Sequence, residues 1–129
     1  MSSLDLKLNV FEGPLDLLLH LIEKNKFNIF DIPIVEITDQ YIAYLDQLDE
    51  TDMDTMSEFL VMAAQLISIK ARMLLPKEEE PEEEEEDPRA ELVRSLLEYK
   101  MYKYASYELR IWNWMRIRPF IKKHRSRRK

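Results

Sequence analysis

An all-α protein is predicted from three features of the 129-residue sequence: 46% of its residues are hydrophobic, its single glycine and six prolines are isolated, and its apolar residues recur at three- and four-residue spacing. Little of the turn chemistry needed by an all-β fold is present. The length suits one domain, or a small domain with an extension, and excludes a multidomain enzyme. With Gly13 as the only glycine, no glycine-rich phosphate loop can be built, which excludes P-loop nucleotide hydrolysis.

The chain opens with Leu4, Leu6, Leu8 and Val10 alternating with polar residues, the period of a short, half-buried leading strand. Such a strand must pair with something, a partner protein included. Gly13 then offers a cap and Pro14 a first helical position, opening a helix from Pro14 to about Lys24. Its stripe is Leu15, Leu18, Leu19 and Ile22, broadened by Leu17 and Leu21. A second helix, from Pro33 to about Leu48, puts Ile34, Ile37, Tyr41, Leu45 and Leu48 on one face. A third starts near Asp54, where Thr55 and Glu58 have capping-box spacing and Asp52 competes as the cap, and runs to Leu75 before Pro76. Its stripe holds Met56, Phe59, Leu60, Ala63, Leu66, Ile67, Lys70, Ala71 and Leu74, while Met53, Met62, Ile69 and Met73 fall outside it. One face therefore serves the core and another a partner.

Residues 76–88, PKEEEPEEEEEDP, repel one another in any compact form and carry three prolines, so they read as a solvated acidic linker. Contact with a basic partner or a weak cation site is the competing reading. A long extended helix follows over residues 89–118, capped by Asp87 and Pro88 and stopped by Pro119; it would reach roughly 45 Å. Its apolar residues, from Leu92 through Tyr99, Tyr107 and Trp112 to Met115, surround the axis. This chain is too short to bury such a helix alone, which implies a partner. The predicted layout is a three-helix domain at 1–75, a linker at 76–88, a helix at 89–118 and a basic tail at 119–129.

The formal charge of -6 describes none of these parts: residues 76–91 hold ten acids and two bases, whereas residues 110–129 hold nine bases and no acid. The tail resembles a nucleic-acid or membrane-surface arm whose charge favours phosphates, although base-reading geometry is absent. No apolar run reaches the length needed to span a bilayer, and no signal-peptide pattern opens the chain, so a soluble cytoplasmic protein without a membrane partner is expected. Without cysteine there are no disulfides or thiolate metal sites. His20 lies among leucines and reads as a boundary residue, His124 lies in the tail, and no histidine pair has metal spacing. Neither a reaction, a cofactor nor a small-molecule substrate is selected.

The segments FEGPLDLLLHLI (11–22), FDIPI (30–34), Gln40 with Tyr41, SEFLVMAA (57–64) and IKARMLLP (69–76), with LVRSLLEY (92–99) beyond the acidic gap, closely resemble the ScpA family, the kleisin subunits of the bacterial SMC condensin complex. The resemblance covers roughly residues 4–110 as ordered blocks. It implies a non-enzymatic bridge at the nucleoid. The N-terminal helices would pack on the coiled-coil neck beside an SMC ATPase head, the middle segment would lie along a ScpB dimer, and DNA would be reached indirectly through the complex. Carried over to this chain, it makes Met62, Leu66, Ile69 and Met73 the outer, neck-binding positions of the third helix. Leu92, Leu96, Leu97, Tyr99 and Tyr102 become the ScpB-binding set. Two departures are expected: the family's C-terminal winged-helix domain is missing, and the likeness ends near Ile111. On this reading, Leu96→Glu with Tyr99→Glu leaves residues 1–75 folded.

Overall fold

The computed structural model describes residues 11–47, 53–76 and 86–126. Every regular element among them is helical: α1 (Pro14–Lys24), α2 (Ile34–Asp46), α3 (Met53–Leu74) and α4 (Ala90–Ser126). The predicted leading strand and Leu48 lie outside the described residues.

α1 begins and ends where its sequence says it should. Pro14 occupies the first turn, where its missing N–H is not needed. Gly13 is the cap residue, but its backbone is extended (φ 172°) and a Cβ there would meet nothing within 4 Å, so this position does not require glycine. Asp16 reaches back to accept the Glu12 amide at 3.1 Å. At the other end, Lys26 takes the left-handed conformation (φ 57°). The Lys26 amide donates to the Glu23 carbonyl at 3.2 Å and the Phe27 amide to the Ile22 carbonyl at 2.9 Å, a Schellman closure with lysine where glycine is usual. The Asn25 side chain donates to the Leu21 carbonyl and exchanges two hydrogen bonds with the Gln40 amide on α2.

In α1, Leu17, Leu18, Leu19, Leu21 and Ile22 are all buried, more of the circumference than a single stripe would cover. α2 starts one residue later than predicted, with Pro33 as its cap, and buries Ile34, Ile37, Thr38 and Tyr41 at spacings of three, four and seven. α3 contributes Phe59, Met62, Ala63 and Leu66. The three helices pack against one another pairwise. The Tyr41 hydroxyl donates to the Phe59 carbonyl at 2.8 Å within this core, so the polar tip of a fully buried ring is satisfied across the α2–α3 contact. Among the described residues, Thr38 Oγ1 is buried with no hydrogen-bond partner. A Lys70–Asp39 pair at 3.3 Å on the surface adds little, as exposed pairs do.

Two expectations change at α4. The first compact unit extends to Leu97, past the expected division at residue 75, and residues from Glu98 form the second unit. Leu92 and Leu96 are buried, which their apolar character favours once the chain returns to the first unit. A glutamate at Leu96 would enter that core, contrary to the expectation that residues 1–75 would not notice it. Further on, Pro119 does not stop the helix, which continues to Ser126. Proline forfeits its own bond to the carbonyl four residues earlier, at about 3 kcal/mol in a helix interior, but leaves the donors on either side free to continue the ladder. The predicted basic tail is therefore helical backbone through Ser126.

Candidate partner-binding surfaces

α3 has two apolar faces. Phe59, Met62, Ala63 and Leu66 form the inner one. The outer one is a seam of Leu60, Ala64, Ile67, Ala71 and Leu74, alternating four- and three-residue steps over two heptads. Leu60, Ile67 and Leu74 are 54%, 51% and 64% exposed, and both alanines are exposed between them. Apolar residues at this spacing are what a second helix packs against in knobs-into-holes fashion, and alanines at alternate positions let its backbone come close. Val61 and Leu75, both exposed, widen the seam.

This arrangement corrects the residues singled out from sequence on α3. Met62 and Leu66 were expected to face outward, yet both are buried beside Phe59, because they share its face at three- and seven-residue spacing. Ile69 is half-buried, and Met73 is exposed. The apolar stripe expected from the sequence lacks Ala64 and Val61, which the exposed surface of α3 includes. The missed signal was the four-three spacing of Leu60, Ala64, Ile67, Ala71 and Leu74.

On α4 the five residues expected to bind one partner separate. Leu92 and Leu96 are buried in the first unit, Leu97 and Tyr99 are half-buried, and Tyr102 is exposed. The second unit, taken by itself, is a helix with its large side chains in water. Met101, Tyr104, Tyr107, Leu109, Trp112, Trp114 and Met115 are all more than half exposed. The Tyr99 and Tyr102 rings lie 6.2 Å apart, and the Arg116 guanidinium sits 4.9 Å from the Trp112 ring centre. Glu108 holds the Tyr104 hydroxyl and pushes its pKa up.

The electrostatics gather at the entrance to α4. Arg89 donates to both carboxylate oxygens of Asp87, to Asp31 Oδ1 at 2.8 Å and to the Ile32 carbonyl at 2.7 Å. These hydrogen bonds hold the Asp87 carboxyl below the usual carboxylate range and push the guanidinium pKa up. Burial raises Tyr41 and, less completely covered, Tyr44. His20 is exposed, with its ring 5.4 Å from Phe11. Among the described residues no cluster of three acids and histidines could hold a metal ion, and no helix is long and apolar enough to cross a membrane. The chemistry offered is apolar contact area.

The family model described as segregation and condensation protein ScpA matches residues 21–128. That range corrects the expectation that the likeness ends near Ile111. The segregation and condensation protein A of Caldanaerobacter subterraneus is 61% identical over 100 residues, covering 75% of this chain and 40% of that protein. The Brevibacillus brevis protein of the same name is 55% identical over 113 residues (81% and 44%), and that of Bacillus subtilis 49% over 127 residues (95% and 51%). The chain thus spans about half, or less, of the length of these relatives.

Proposed function

The chain belongs to the segregation and condensation protein A family, and from that membership we propose that it acts in chromosome segregation and condensation as a non-enzymatic kleisin adaptor. In this reading α3 pairs with the coiled-coil neck of an SMC ATPase through the seam of Leu60, Ala64, Ile67, Ala71 and Leu74. The α4 stretch from Glu98 lies along a ScpB dimer, with Tyr102 as the member of the sequence-derived set most open to it. Leu97 and Tyr99 flank that surface, whereas Ile69 and Met73 lie on the side of α3 turned away from the seam. DNA is engaged through the assembled complex at the nucleoid, in the cytoplasm, and the adaptor needs no cofactor or small-molecule substrate.

The observation that carries the proposal is the seam. A helix already anchored on one face presents, on the other, a four-three apolar pattern suited to a neighbouring helix. A coiled-coil neck is a partner of that chemistry. The exposed aromatic residues of the second unit support a second, separate surface, since contiguous exposed apolar area of this kind marks an interaction site. The test is co-elution on size exclusion with an SMC head–neck fragment, with a ScpB dimer, and with both. A ternary complex is expected. A chain that elutes alone in all three mixtures is not this adaptor.

A further inference from the structure

Residues 90–97 of α4 are held in the first unit, where Leu92 and Leu96 are buried. Among the described residues, the hydrogen bonds that tie the start of α4 to the α1–α2 connection come from Arg89. One nitrogen, Nη1, is shared between Asp31 Oδ1 at 2.8 Å and the Ile32 carbonyl at 2.7 Å, both in the connection between α1 and α2. Nε and Nη2 grip the two oxygens of Asp87, at 3.2 and 2.9 Å, on the other side. The Asp87 side chain also accepts the Arg89 amide at 2.9 Å, and its carbonyl accepts the Ala90 amide at 2.9 Å, so the same aspartate caps α4 and orients the guanidinium. The Arg89 side chain is 17% exposed, while its two carboxylate partners are considerably more open. A planar donor fork matched to two carboxylates and a carbonyl is a geometry that lysine cannot reproduce.

We propose that Arg89 is a clamp that fixes the first two turns of α4 to the α1–α2 connection and thereby keeps Leu92 and Leu96 covered by the chain itself. A partner that needs those two leucines must open the clamp first; one that uses only residues from Glu98 onward need not. The clamp follows Glu82 to Asp87, an unbroken acidic run, and Arg89 is the first base after it. Its choice of Asp31 and Asp87 over the other acids therefore rests on geometry and not on charge alone. The consequence for partners rests on the reading of α4 as a binding helix; the clamp itself does not.

The experiment is amide hydrogen exchange on the full chain, without any partner, for the parent and for Arg89→Ala, Arg89→Lys and Asp31→Asn. Hydrogen bonds to charged groups of this kind are strong enough that Arg89→Ala should speed exchange at residues 93–97 by about tenfold. Asp31→Asn should give a smaller increase in the same amides, Arg89→Lys an intermediate one, and residues 17–22 and 37–41 should keep their protection. Exchange at 93–97 within twofold of the parent in Arg89→Ala overturns the clamp. So does an increase of equal size in α1 and α2, which is the signature of general destabilisation. Because no partner is present, failure here leaves the adaptor reading untouched, and failure to bind ScpB leaves the clamp untouched.

Discussion

α1 and the stretch of α4 from Glu98 to Arg118 are both rich in large apolar side chains, and they meet opposite fates. In α1 five apolar residues are buried by neighbouring helices. In the α4 stretch ten large apolar residues, from Met101 to Ile117, stay exposed. Apolar character sets what a surface would gain from cover, at about 25 cal/mol per Å²; whether cover arrives depends on what the rest of the chain can bring to it. α3 has both outcomes on one helix, with Phe59 inside and Ile67 outside. A side chain's contribution to folding and its contribution to association are therefore separable here.

Substitutions can sharpen this contrast. Phe59→Ala should lose roughly 3 to 5 kcal/mol of folding stability by leaving a cavity. Trp112→Ala, although it removes a larger side chain, should change stability by less than about 0.5 kcal/mol. Chemical denaturation of both variants checks the pair, and comparable losses would erase the distinction between the two regions. Tyr41→Phe keeps the buried ring but removes its hydrogen bond to the Phe59 carbonyl, which retains its acceptor role within α3, so a loss of about 1 kcal/mol is expected in the same assay.

Smaller effects belong to the helix ends. Lys26→Gly relieves a left-handed residue in the closure of α1 and should stabilise the first unit by about 0.5 to 1 kcal/mol, seen as a raised Tm. Asp87 supplies a weak pH dependence. Its folded-state pKa is depressed below 3.8, so its contribution is complete above that value and is lost as pH falls through the folded-state pKa. The stability gap between the parent and Asp87→Asn should then narrow on acidification from pH 7 toward about pH 2.5. A gap that widens would reverse the assignment.

Much of this was legible from local pattern. Pro14, the leucine periodicity and the polar residues after Lys24 fixed α1 to the residue, and α3 lies within one residue of its predicted limits. Orientation was not legible in the same way. α3 has apolar residues around much of its circumference, so periodicity offers two faces and does not say which one α1 and α2 will cover; Met62 and Leu66 lie on the covered one. The membership of Leu92 and Leu96 in the first unit depends on long-range bonds from Arg89 to Asp31 and Ile32, separated by more than fifty residues, which no window of sequence contains. Pro119 misled for a different reason. A proline raises the local cost of a helix without forbidding it, and the rule that helices end before proline is a tendency.

The central claim is that two separate exposed surfaces, the α3 seam and the second unit of α4, serve two partners. Titration calorimetry of Ile67→Glu and Tyr104→Glu against an SMC head–neck fragment and a ScpB dimer tests it most directly. A charge placed at the centre of an apolar contact should weaken the affected complex at least about tenfold. The account predicts that Ile67→Glu loses the SMC fragment and keeps ScpB, while Tyr104→Glu loses ScpB and keeps the SMC fragment, with both variants folded as the parent is. Loss of both partners in either folded variant, or of neither in both, would contradict it.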